Sequence, residues 1–220
     1  MRGRRDYPDG DGGHGVAGGE DRGQAFALEA VVASLVLLGG LVFALQATAV
    51  TPLSASTSSQ HIENQQAATA EGVLAAAAEN GSLRVAVLNW NASGEKFHGA
   101  EVNQSYHTND PPDNDFGTLL SRAFDGRGIV FNVYVRYGDD RDDDGVVEER
   151  RSQRMVYRGG PTDNAAAASR VVTLYDDDEL HNASDVPNGT VVSGGDFYAD
   201  DISASGVYNV VTVEVVVWRQ

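Results

Sequence analysis

Between Ala25 and Leu45 the chain is apolar except for Glu29 and Ser34, and Ala30 to Leu45 carries no charge. At about 1.5 Å per helical residue, the run from Ala25 to Val50 spans a hydrocarbon core of about 30 Å, which predicts a transmembrane helix over 24–50. A cleaved secretory signal has a shorter apolar region ending in small residues. Here the run continues into Gln46-Ala47-Thr48-Ala49-Val50. Pro52 and the Ser/Thr cluster Ser54 to Ser59 mark the exit, with Pro52 either kinking the helix or ending it at Thr51. Helical spacing then resumes: Ile62, Gln66, Ala70, Val73, Leu74, Ala77 and Ala78 fall on one stripe. Asn80-Gly81 suits a C-cap, and Leu83, Ala86, Val87 and Trp90 repeat the pattern as a second short helix. Together these predict a helical stalk over 51–90.

Beyond Trp90 the period changes. Phe116, Leu119, Leu120 and Ala123 predict a short helix over 116–124 with Asp115 as its N-cap. Ile129, Phe131, Val133, Val135 and Tyr137 alternate with Asn132, Tyr134 and Arg136, the two-residue period of a half-buried strand. Gln153 to Arg158 reads as its hairpin partner across an acidic loop, and Arg170 to Tyr175 as another strand. The last strand runs from Tyr208 to Trp218, with Val211, Val213, Val215 and Val217 on one face. The expected fold class is α+β: an N-terminal transmembrane helix continuing into a helical stalk, then a small antiparallel β-sheet domain over 91–220.

Residues 1–23 are rich in Gly, Asp and Arg without apolar periodicity and read as a disordered cytoplasmic leader. Arg2, Arg4, Arg5 and Arg22 favour a cytoplasmic N-terminus, which makes everything after Val50 extracellular. The leader is followed at once by Arg22-Gly23-Gln24 and, a few residues into the apolar helix, Glu29. This arrangement resembles the class III signal of type IV pilins and archaeal flagellins, in its haloarchaeal form where Gln begins the mature chain. The resemblance implies a prepilin-type peptidase that cuts beside Gly23 and Gln24 and leaves the helix on the protein. It also implies that Glu29 meets the freed N-terminal amine of a like subunit. Cleavage after Gly23 puts Glu29 at the sixth mature position, and cleavage after Gln24 at the fifth, where the family's glutamate usually falls. The stretch Ala47 to Gln66 is further similar to haloarchaeal membrane proteins with pilin-like starts and no known activity.

The net charge is −16, aspartate carries most of the acid, and Lys96 is the only lysine. Such a surface reads as halophilic: short carboxylates hold water and counterions, and at molar salt a Debye length of about 3 Å leaves little long-range steering. An acidic surface for a basic partner is the alternative. Nucleic acid is disfavoured as a partner, because no basic patch exists in the sequence. With no cysteine, there is no disulfide framework, thiol nucleophile or thiolate metal site.

Asp140, Asp142 and Asp144 occupy positions 1, 3 and 5 of a loop with Gly145 at 6 and Glu148 at 9, the start of a calcium loop. Position 12 is Arg151, so the bidentate closing ligand is missing, and a solvated acidic hairpin loop is the stronger reading. Calcium is the one candidate ligand; no other cofactor is expected. Asn80, Asn91, Asn103, Asn182 and Asn188 each head an Asn-x-Ser/Thr sequon without proline, candidates for glycosylation with one or two occupied. No HExxH, Gly-x-Ser-x-Gly elbow, phosphate-binding glycine loop or paired histidine spacing is present, so an enzyme is not expected. The leading expectation is a membrane-anchored, pilin-like surface subunit with a structural or adhesive role. Its rival is a permanently anchored extracellular binding module that does not assemble.

Overall fold

The computed structural model describes residues 20–140, 147, 149–194 and 196–219. The chain divides into two compact units, Met1–Ser56 and Thr57–Gln220. The protein is α+β, with an apolar N-terminal helix, shorter helices and small antiparallel sheets.

Helix α1 (Glu20–Glu79) begins ahead of the expected break at Gly23, and its helical backbone runs through Pro52. A proline inside a helix costs about 3 kcal/mol, and the backbone nevertheless stays helical on both sides of it. Within the first unit, Phe26–Leu45 is the one helical stretch among the described residues long and apolar enough to cross a membrane. None of it is buried: Leu37 and Phe43 are each 74% exposed. Ser34 satisfies its own hydroxyl by donating to Ala30 O at 2.7 Å.

In the second unit the stripe from the end of α1 turns inward. Gln66, Ala70, Val73, Leu74 and Ala77 are buried, and Ala78 packs against the same cluster. This unit therefore takes in residues that the spacing alone assigned to a stalk. Gly81, with φ +78°, reverses the chain at the end of α1 and leads into α2 (Ser82–Leu88). Trp90 lies beyond α2, in the hairpin of β1 (Trp90–Asn91) and β2 (Lys96–Phe97). Helix α3 (Asp115–Phe124) is capped by Asn114 rather than Asp115: the extended Asn114 accepts from Gly117 N at 2.9 Å. Asp115 is instead the first helical residue, where its charge favours the N-terminal dipole. At Gly117 a Cβ would meet Pro112 O at 1.8 Å, so only glycine fits that turn.

The main sheet has the order β4-β3-β8-β5 and is antiparallel throughout, built from β3 (Ile129–Asp139), β4 (Glu149–Val156), β5 (Ala166–Tyr175) and β8 (Val207–Arg219). Phe131, Val133 and Val135 face Val217, Val215 and Val213 across the ladder, all fully buried. This valine layer joins the α1 stripe and Phe116, Leu120 and Phe124 of α3 in one core. A small hairpin of β6 (Glu179–His181) and β7 (Pro187–Val191) completes the unit. Asn132, which alternation places on the polar face, is buried because its side chain bonds Gly159 O (2.8 Å), Tyr134 Oη (3.0 Å) and Arg158 N (2.8 Å).

Candidate functional site

The β1–β2 hairpin presents two aromatic rings and bends sharply between them. Trp90 and Phe97 are cross-strand partners whose rings meet edge to face at 5.2 Å. Between them Asn91 accepts from Gly94 N at 3.1 Å, starting a 3-10 turn over Ala92–Gly94. Glu95 then adopts φ +48° to bring the chain back. From across the domain the segment Asp196 to Tyr198 closes on this hairpin. Asp196 has φ +70°, and its carbonyl accepts from Trp90 Nε1 at 3.0 Å. Tyr198 centres the aromatic group, 5.0 Å from Trp90, 5.6 Å from Phe97, 5.7 Å from Tyr137 and 4.1 Å from Phe197. Its hydroxyl donates to Val87 O at 3.0 Å, which ties the group to α2.

These elements enclose a cavity of about 420 Å³, within the range of small-ligand sites. Trp90, Tyr137, Phe197 and Tyr198 supply its aromatic wall; Ser105 and Gln153, themselves bonded at 3.2 Å, supply neutral polar groups. Glu95 and Asp196 supply two exposed carboxylates, and among the described residues no Arg, Lys or His lines the cavity. Among the described residues, no hydrogen bond or ion pair reaches either carboxylate side chain, and neighbouring Lys96 is turned to Ala100 O at 3.1 Å. A non-glycine residue held in left-handed backbone costs about 1–3 kcal/mol and persists where the fold over-determines it, a state common at binding sites. Two of the four such residues described in this chain are Glu95 and Asp196. Burial raises the Tyr137 hydroxyl, and raises Tyr198 well above the ordinary tyrosine value, so both rings are neutral phenols.

A second cavity, about 470 Å³, lies beside Asp139, Asp140, Asp200, Asp201 and Arg151. Of the expected calcium ligands, Asp140 is buried at its edge, while Asp142, Asp144 and Glu148 lie outside the described residues. Arg151, at the position where a calcium loop needs its closing carboxylate, instead bonds Asp139 at 2.8 Å.

Gly23 and Gln24 lie in the first turns of α1, and Glu29 is exposed inside the apolar run. Among the described residues, no hydrogen bond or ion pair reaches the Glu29 carboxylate. The sequons differ in access. Asn80, Asn103 and Asn188 are exposed, Asn103 with φ +66°. Asn91 and Asn182 are half-buried, and Asn182 accepts from Ser184 N and Val186 N.

The aromatic cavity was not foreseen in the sequence. Trp90 read as the last member of a helical stripe and Tyr137 as one position of a strand, while Phe197-Tyr198 stood in no periodic segment. The available signal was local: Asn91-Ala92-Ser93-Gly94 is a turn flanked by Trp90 and Phe97.

The fold and its single bare apolar helix define the class: an α+β protein with one candidate N-terminal membrane span. The chain belongs to DUF7288, a family of unknown function, whose model matches residues 22–217 and so takes in both the apolar helix and the sheet domain. No curated protein and no solved structure matches the chain.

Proposed function

We propose that this protein is a pilin-like surface subunit, held in the cell membrane by Phe26–Leu45 with its N-terminus cytoplasmic and its sheet domain outside. The Asp-rich surface fits a halophilic archaeal host. The observation that carries the reading is Glu29, a carboxylate with no bonding partner among the described residues, exposed on a helix whose stretch Phe26–Leu45 is apolar and unburied. A carboxylate inside a bilayer segment costs a few kcal/mol and calls for a partner. The freed N-terminal amine of a like subunit, released by cleavage at Gly23–Gln24, supplies one. Surface assembly is a structural role that needs no catalytic group.

The test is Glu29→Gln, which keeps size and removes charge. The variant reaches the membrane and is processed as wild type, but loses most high-order species in crosslinking, since stranding one member of a desolvated pair costs about 3–5 kcal/mol. Wild-type assembly in the variant, or a wild-type protein that is always monomeric, rejects the assembly role. The aromatic cavity favours a second reading, a permanently anchored binding module, which an unprocessed and monomeric native protein would support.

A further inference from the structure

We propose that the cavity between the β1–β2 hairpin and Asp196–Tyr198 binds a small organic cation with an ammonium head. Three independent features of the cavity lead to this ligand class. Four of its nine described lining residues, Trp90, Tyr137, Phe197 and Tyr198, are aromatic, and aromatic rings attract cations through their quadrupoles. Its mouth carries Glu95 and Asp196, both unpaired among the described residues and both held in left-handed backbone that fixes where the carboxylates stand. Among the described residues no cationic side chain lines it.

Tight aromatic packing alone accounts for Trp90 and Tyr137, which are 4% and 8% exposed. It does not account for a cavity left open beside them, nor for two acidic residues at its mouth where glycine would relieve the backbone. A neutral sugar would use the rings and Gln153 but would leave both carboxylates without a counter-charge. A hard metal ion would use the carboxylates and leave the rings idle. A quaternary or alkyl ammonium uses both. The cation could be a free solute or a lysine side chain of a peptide; the chemistry is the same, and the two are separable by experiment. This site stands apart from the assembly of the apolar helix, and either can fail without the other.

The experiment uses the full-length protein in nonionic detergent at fixed ionic strength. Choline, tetramethylammonium and a blocked lysine are titrated by calorimetry, with Trp90 fluorescence read in a Trp218→Phe background. The neutral isostere of choline, 3,3-dimethylbutan-1-ol, is the control. Choline should bind saturably and at least about tenfold more tightly than the isostere. The double variant Glu95→Gln/Asp196→Asn should weaken choline about tenfold or more, with its melting temperature unchanged. Phe197→Leu, at a half-buried ring, should weaken it about 2- to 30-fold. Stronger binding of blocked lysine than of choline and tetramethylammonium assigns the site to a peptide side chain; the reverse assigns it to a free solute. Equal binding of choline and its neutral isostere overturns the proposal. So does wild-type affinity in the folded double variant, or no saturable binding of any of the three cations up to about 100 mM.

Discussion

Leu38 and Leu74 sit on the same helix in opposite surroundings: Leu38 is 58% exposed and Leu74 is 1% exposed. Around Leu74 the apolar residues recur at three and four and alternate with polar ones, so a single face turns to the valine layer of the sheet. Around Leu38 the helix is apolar on every side, and Phe26–Leu45 is unburied among the described residues. The first pattern encodes burial within the fold. The second, apolar all round and unburied among the described residues, is the pattern of a candidate membrane span.

The largest effect that separates the two regions comes from paired truncations. Leu74→Ala should cost about 2–5 kcal/mol, a loss of transfer energy plus a cavity in the core. For a domain of this size that lowers the melting temperature by about 5–15 °C. Leu38→Ala should leave the sheet domain's melting temperature within about 1 °C, because Leu38 is 58% exposed and leaves no core cavity when truncated. A comparable drop in both variants would break the contrast.

A smaller effect probes the polar part of the core. Asn209 is fully buried, donates to Gly138 O (3.0 Å) and Asp200 O (2.8 Å), and accepts from Gly138 N (3.3 Å). Asn209→Ala strands these backbone groups and should cost about 2–3 kcal/mol in denaturant unfolding. Asn209→Asp keeps the acceptor but sets a buried carboxylate against the Gly138 and Asp200 carbonyls, and should recover none of that loss.

The smallest effect depends on pH. Burial alone raises the Glu101 carboxyl, but bonds from Thr108 Oγ1, Thr108 N and Asn109 N outweigh it and hold the group at about 2. Its unfolded value is about 4.3. A depressed carboxylate adds stability that is fully present above the unfolded value and is lost as pH falls from about 4.3 towards 2. Because Glu101 is partly exposed, the contribution at pH 7 is about 1 kcal/mol. Glu101→Gln should therefore melt lower than wild type at pH 7 and coincide with it at about pH 2. A pH-independent difference would assign the effect to packing instead.

The parts of the fold legible in the sequence are those where one period holds over many residues. The α1 stripe and the valine alternation of β8 are of this kind, and each side chain's facing follows from its position. Ala166 to Ala168 were hidden because alanine favours helix, yet these residues pair with Val215 to Val217; tertiary pairing overrides the local preference. Asn132 was hidden because its partners, Arg158 and Gly159, come from a distant segment. The aromatic cavity draws on Trp90, Tyr137, Gln153 and Tyr198, from four separate stretches, and no spacing rule brings them together. The apolar helix shows the reverse: its pattern is plain, while none of the described residues buries it.

The surroundings of that helix are also the most direct point of test. Since the chain has no cysteine, single cysteines placed through Phe26–Leu45 report contacts between copies in native membranes without background. On a helix, Ala33, Val36 and Gly40 share the face of Glu29, whereas Val31 and Leu38 lie opposite. Oxidative crosslinking is predicted to peak at 33, 36 and 40, to fall at 31 and 38, and to collapse in the Glu29→Gln background. Crosslinking that is absent at every position, or equal at all of them, would contradict a subunit whose helix packs through the Glu29 face.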